Sequence, residues 1–277
     1  MELNANFDER IAVHAEKLDW VKSPMPGVDR RMLDRLGGEV ARATSIVRYA
    51  PESKFSSHVH TGGEEFLVLE GVFQDEHGDF PAGSYIRNPP ESSHTPGSKP
   101  GCVIFVKLWQ FDMADRTHVR IDTNKMKFFD DAARANVKIM PLFNDGHEDV
   151  RLEQWAPNAA LTLEASNGLE ALVLDGSFSE SGEHFSRNSW LRLPKGGSAS
   201  IKTGASPVRR LDQTRSPRRS AESAAHEIVH TGRLNRARRV ARVPLGRDYE
   251  KEFGGAEDWP ILRSRLAHAS VISRTSA

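Results

Sequence analysis

The chain is predicted to be all-β, built as two tandem β-barrels followed by an irregular or partly helical C-terminal tail. Three observations carry this expectation. Short β-prone runs alternate with turn chemistry, the pattern repeats once at a period of about 105 residues, and the texture changes abruptly after Ser206.

Residues 1–40 open with "MELNANFDERIAVHAEKLDW", charged throughout and without the apolar core of a secretion signal. This segment is expected to pack on the barrel. Residues 41–124 form that barrel. "ARATSIVRYA", "FLVLEGVF" and "GCVIFVKLWQF" are rich in β-branched and aromatic residues, and "EHGD", "PAGS", "NPPESS" and "GSKPG" separate them as turns. Asp112 to Asn124 reads as the linker.

Residues 125–205 repeat the pattern. "YAPESKFSSHVHTGGEEFLVLEGVF" aligns with "WAPNAALTLEASNGLEALVLDGSF" given one gap, and "GSYIRNPPESSH" aligns with "NSWLRLPKGGSA". Residues 206–277 then turn arginine-rich and almost lysine-free, with no sustained strand pattern. The first copy closes on "GCVIFVKLW", and the second lacks a matching run. The tail therefore reads as a basic arm, a helix, disorder or a frameshift product. The codons of "VRRLDQTR", read one nucleotide on, are compatible with a strand resembling the first copy's.

Positive and negative residues balance at 38 each, so bulk charge points to neither a nucleic-acid nor a membrane partner. No apolar run approaches the roughly 18 residues of a membrane span, and a cytoplasmic location is expected. The single Cys102 excludes an intramolecular disulfide and a thiolate zinc cage; a strand role is expected for it. "DEHGD" at Asp75 to Asp79 reads as a solvated hairpin tip. "HEIVH", His226 to His230, matches the zincin pattern but lacks an evident third ligand.

The chemistry concentrates in "SHVHTGGEEFLVLEG". Residues two apart on a strand share a face, so His58 and His60 project together. Thr61-Gly62-Gly63 turns the chain back, which sets a carboxylate opposite them, and His94 can return to the pocket from a third strand. Three imidazoles and one carboxylate suit Zn(II), Fe(II), Mn(II), Ni(II) or Cu(II) with positions left open.

These residues resemble the two cupin motifs. His58, His60, Glu64 and Gly71 fit the first; Gly83, Pro89 and His94 fit the second, in which Glu91 and Ser98 stand where the motif has Gly and Asn. The fuller string from His58 to Trp109 resembles the ChrR-type cupin family, named for the C-terminal domain of a zinc-binding anti-sigma factor. The resemblance implies jelly-roll-like cupin barrels, the second degenerate. It also implies one divalent metal, Fe(II) or Zn(II) first and Mn(II) or Ni(II) next.

The repeat chooses between the two glutamates. Counting back from Gly176, Glu170 stands at Glu65's place and Leu169 at Glu64's. The second copy has also lost the histidines: Glu164 falls near His58, Ala165 or Ser166 near His60, and Ala199 at His94. A residue lost together with the ligands is itself a ligand, so the expected metal set is His58, His60, Glu64 and His94. Tyr85 and Arg87 persist as Trp190 and Arg192, which favours a framework role.

Two functions follow from the resemblance. One is a metal-dependent dioxygenase acting on a small oxygenated carbonyl compound. The other is a zinc-binding sensor or regulatory module. Residues 1–40 are too few, and lack the cysteines, for the helical zinc domain with which the anti-sigma relative clasps a sigma factor. A small-molecule ligand and a homodimer are the expected partners; no catalytic residue beyond the metal set is assigned.

Overall fold

The computed structural model describes residues 1–38 and 40–215, and strands make up almost all of its regular structure. Each repeat builds one main antiparallel sheet. In the first, the neighbours run Val28–Gly37, Ala41–Tyr49, Cys102–Leu108, Glu64–Asp75, Ser84–Asn88, Val119–Asp122. In the second they run Val137–Asn144, Glu148–Trp155, Val208–Arg215, Leu169–Asp175, Ser189–Leu193, Ile11–His14. The two orders are the same. A smaller sheet faces each: His58–His60 with Ser92–His94 in the first repeat, and Ala160–Ala165, Gly197–Thr203, Phe178–Glu180 and Glu183–Phe185 in the second.

The final strand of each list comes from the other repeat. Val119–Asp122 lies in the stretch expected to be a linker, yet it pairs with Ser84–Asn88, setting Arg87 opposite Val119. Ile11–His14, from the segment expected to pack on the barrel from outside its sheets, pairs with Ser189–Leu193 of the second repeat, setting Arg192 opposite Ile11. Each repeat thus lends its leading strand to its neighbour. Val28–Gly37 is likewise an integral strand along Ala41–Tyr49. Residues 1–40 are therefore part of both barrels. These leading strands, "IAVH" and "VRID", share no residue in order, which is why the repeat is invisible there.

The second correction concerns the closing strand. Val208–Arg215 occupies the middle of the second sheet, between Glu148–Trp155 and Leu169–Asp175, so the barrel continues past residue 205. "VRRLDQTR" is the strand whose absence suggested a frameshift. Its charges mislead because they are neutralised locally. Arg210 pairs with Asp212 and, at 3.0 Å, with Glu153. Burial pushes Asp212 up to about 8. The expected tail and the "HEIVH" segment beyond Arg215 lie outside the described residues.

Three apolar clusters follow the period of two. Cys102, Ile104 and Val106 fill the first barrel with Phe66, Val68 and Phe73. Phe105, on the opposite face of the same strand, packs between the repeats with Leu33, Leu67, Tyr85, Leu152, Trp190 and Leu211. A strand buried on both faces needs an apolar run, which "CVIFV" supplies up to the buried Lys107. Trp155, Leu163, Phe178, Phe185 and Leu193 fill the second barrel.

The Leu-Val-Leu-acid-Gly match also has a steric cause. Gly71 (φ 69°) runs so close to the neighbouring strand that a Cβ would sit 2.0 Å from the Gly101 carbonyl oxygen. Gly176 (φ 75°) makes the same approach to the Pro207 carbonyl, at 2.2 Å. Only glycine permits both the left-handed backbone and the contact. Among the described residues, no helix is long and apolar enough to cross a membrane.

Candidate metal centre

Strand register separates the two glutamates. Glu64 and Glu65 begin the strand Glu64–Asp75, and adjacent residues face opposite sides of a sheet. Glu65 turns toward the other repeat. It accepts from the Tyr85 hydroxyl and, at 2.8 Å, from Gln213 Nε2. Glu64 turns into the first barrel, where its Oε2 lies 3.5 Å from His60 Nε2 and 3.7 Å from His94 Nε2.

The histidines converge because two short strands pair in register. His94 sits directly across from His58, and Ser92 from His60. The three ring centroids lie 4.6 to 5.0 Å apart, and one nitrogen from each falls within 4.8 Å of the others. Tyr49, Phe55 and Phe73 wall this end of the barrel, with Phe73 5.7 Å from the His94 ring.

Backbone and side-chain acceptors orient the imidazoles. The Ser56 carbonyl accepts from His58 Nδ1 at 3.2 Å, and Asp75 Oδ2 accepts from His94 Nδ1 at 3.3 Å. Asn88 Nδ2 donates to Glu64 Oε2 at 3.4 Å. The loop between His60 and Glu64 is tight: a Cβ on Gly62 would meet the Trp109 ring at 2.0 Å, so Trp109 clamps it from outside.

The site fits a cation. Burial drives His60 down to about 4, and its Nε2 is buried with no hydrogen-bond partner. Burial also lowers His58. At Glu64, burial acts to raise the carboxyl, but His60, His94 and His58 outweigh it and hold it below the usual carboxylate range. At His94, burial is outweighed by the Asp75 hydrogen bond and the nearby acids, and the ring rises. His58 and His60 are thus biased toward neutral imidazole and Glu64 toward the ionised carboxylate, the donor forms a divalent ion requires. His58, His60 and His94 can therefore hold a metal ion.

Asn88 and Asp75 were not anticipated from sequence. Asn88 lies next to the proline-rich turn and carries no motif signal. Asp75 belongs to "DEHGD", read as a solvated tip, but its side chain is 1% exposed because it turns back to His94. Only the residues beyond it are open to water. Arg87 points away from the histidines, pairing with Asp115 at 2.8 Å and Glu148 at 3.2 Å between the Phe111 and Phe143 rings. Cys102 is buried on its strand, its thiol pushed up to about 11 by burial.

The second barrel holds the same frame without the polar groups. Leu163 pairs with Ala199 as His58 pairs with His94. This register places Leu163, rather than Glu164, at His58's position, and puts Ala165 at His60's. Leu169 lies across from Thr214, as Glu64 lies across from Leu108. All four positions are buried and aliphatic, and all belong to the second barrel's core.

The profile of a family described as the ChrR cupin-like domain matches residues 8–112. A comparison with curated proteins finds no match. Among solved structures, the chain resembles a candidate dioxygenase from Nostoc punctiforme at TM-score 0.64 and 14% identity, covering 77% of this chain and 85% of that one. It resembles a candidate glyoxylate-induced protein from Pseudomonas aeruginosa at TM-score 0.61 and 12% identity, over 76% and 90% of the two chains. Oxalate decarboxylase from Lactobacillus farciminis follows at TM-score 0.52 and 10% identity, over 82% and 94%. At these identities the likeness is one of fold. Residues 8–112 thus match the ChrR cupin-like domain, and the chain carries the cupin fold twice, once with its histidines and once without.

Proposed function

We propose that the chain is a metal-dependent dioxygenase acting on a small oxygenated carbonyl compound, with His58, His60, His94 and Glu64 holding one divalent ion, Fe(II) or a similar metal. The observation that carries the reading is the convergence of three imidazoles on a buried carboxylate inside an aromatic-walled barrel end. Glu64's place in the ligand set is supported by its neighbours and by its replacement. It faces the histidines, and Leu169 replaces it in the barrel that lacks them.

Each residue then has a physical task. The three imidazoles supply neutral donors through Nε2. Glu64 supplies one negative charge that offsets part of the cation's, and Asn88 fixes its carboxylate plane. When bound, a redox-active divalent ion couples electron transfer between O2 and a chelating substrate. Phe55, Phe73 and Tyr49 present low-dielectric walls that keep bulk water from the reacting groups. The fold likeness to the Nostoc candidate dioxygenase is consistent with this chemistry.

The second reading, a zinc-binding sensor or regulatory module, is supported by the match of residues 8–112 to the ChrR cupin-like domain. Elemental analysis and oxygen consumption separate the two. Protein purified without chelators that carries iron and consumes O2 with a β-diketone supports the enzyme. Tightly held zinc with no turnover across a panel of small carbonyl compounds supports the sensor and sinks the dioxygenase.

A further inference from the structure

We propose that Asp75 is a positioning residue that sets the tautomer and orientation of His94 and so holds its Nε2 lone pair toward the metal site; the inference rests on the metal-site reading above. Asp75 ends the long strand Glu64–Asp75, eleven residues after Glu64, and lies outside the cupin motif residues. Its side chain is 1% exposed, which is unusual for a hairpin aspartate. One oxygen accepts from the His77 backbone N–H at 2.7 Å; the other reaches His94 Nδ1 at 3.3 Å.

A carboxylate can only accept, so the ring must donate from Nδ1. That leaves the Nε2 lone pair aimed toward Glu64, 3.7 Å away, where His60 Nε2 also points. His58 is oriented the same way, but by the neutral carbonyl of Ser56. Among these two contacts only Asp75 carries charge. A charged acceptor behind an imidazole raises the electron density at the opposite nitrogen and stabilises the positive charge the ring acquires on binding a cation. Phe73 packs beside the ring, its centroid 5.7 Å away.

The second barrel shows what becomes of this acid when the imidazole is absent. Glu180 follows Gly176 at the same spacing as Asp75 follows Gly71, and Ala199 stands where His94 would be. Glu180 instead accepts from Arg10 Nε at 2.9 Å. The hairpin acid's side chain is buried in both barrels and takes a donor in both; in the first barrel that donor is the ring of His94 itself.

The test uses the full chain with Asp75→Ala and Asp75→Asn beside wild type and His58→Ala. Zinc and cobalt affinities are measured by competition with a chromophoric chelator. The tautomer of His94 is read in metal-free protein from two-bond 15N–1H couplings at a pH where the ring is neutral. Asp75→Ala is expected to weaken metal binding ten- to a hundredfold and to move His94 from the Nδ1–H form to a mixture. Asp75→Asn, which keeps an acceptor without charge, should retain the tautomer and lose several-fold in affinity. Thermal unfolding of metal-free protein reports separately on the His77 turn. A wild-type affinity in Asp75→Ala, with His58→Ala unable to bind, overturns the role of Asp75 and leaves the metal site standing. Binding that His58→Ala does not change removes the metal reading, and the coupling experiment then decides the positioning role alone.

Discussion

Lys107 is the residue whose loss should say most about how the two barrels are joined. It is 2% exposed and stands on the closing strand of the first repeat. Its Nζ lies 2.8 Å from Glu170 of the second repeat and also donates to Gln213. Gln213 occupies the matching place on the other closing strand and reaches back to Glu65 at 2.8 Å, so the two repeats exchange partners across their interface. Burial alone would raise the Glu170 carboxyl, but Lys107 first, then Arg42 and Arg192, bring it from 4.5 down to about 2. That lowering corresponds to about 3 kcal/mol of stabilisation of the ionised form. Lys107→Met removes the largest attractive partner and leaves a buried carboxylate undercompensated, so the expected loss at neutral pH is about 3 kcal/mol. For a domain of this size the melting temperature should fall by about 6–12 °C, followed by circular dichroism.

The sign with pH follows from the direction of the shift. A depressed folded value means the contribution is complete above about 4.5 and disappears as pH falls toward about 2. The gap between wild type and Lys107→Met should therefore be widest near neutrality and narrow across that acid window. Lys107→Met/Glu170→Met should recover most of the loss, because the lysine and the carboxylate leave together and Arg42 and Arg192 keep Asp34 as their partner. A single variant within 1 kcal/mol of wild type, or a double variant no more stable than the single one, would refute the reasoning.

Glu64→Gln should abolish or weaken metal uptake at least tenfold with little change in unfolding temperature. Glu65→Gln should do the reverse, lowering stability while metal content by elemental analysis is kept. Gly71→Ala should destabilise by at least about 2 kcal/mol in urea unfolding, since both the φ of 69° and the 2.0 Å approach to the Gly101 oxygen must be relieved. A chain stopping at Pro207 should fail to give soluble, folded protein where the full chain does. It lacks a strand hydrogen-bonded on both sides, and strong strand-like circular dichroism from it would contradict the topology.

Much of the centre was legible in the sequence because strands encode facing in a period of two. His58 and His60 at that spacing, the return of His94, and the loss of Glu64 together with the histidines in the repeat all needed only counting. Asp75 escaped because a carboxylate in a Gly-containing hairpin ordinarily faces water, and only the fold shows that its side chain turns inward. "VRRLDQTR" escaped for a related reason. Hydrophobic pattern reads a strand by its apolar face, and this one buries Arg210 and Asp212 against Glu153 instead. The one-residue gap between Trp155 and Leu169 was visible, yet only the Leu163–Ala199 pairing shows on which side of it the histidine positions fall.

By itself, the sequence determined the all-β class, the doubling of the barrel, the half that keeps the histidines and which of Glu64 and Glu65 is lost together with them in the other half. These are local or periodic properties, set by side-chain alternation and by backbone conformations that only glycine tolerates. Tertiary structure alone decided which strand completes which barrel. A short strand such as Ile11–His14 satisfies its backbone equally well at either sheet edge, so its destination is settled by the packed interface. There, the apolar layer of Leu33, Phe105, Leu152 and Trp190, and the crossed partners of Lys107 and Gln213, form only when both repeats are present.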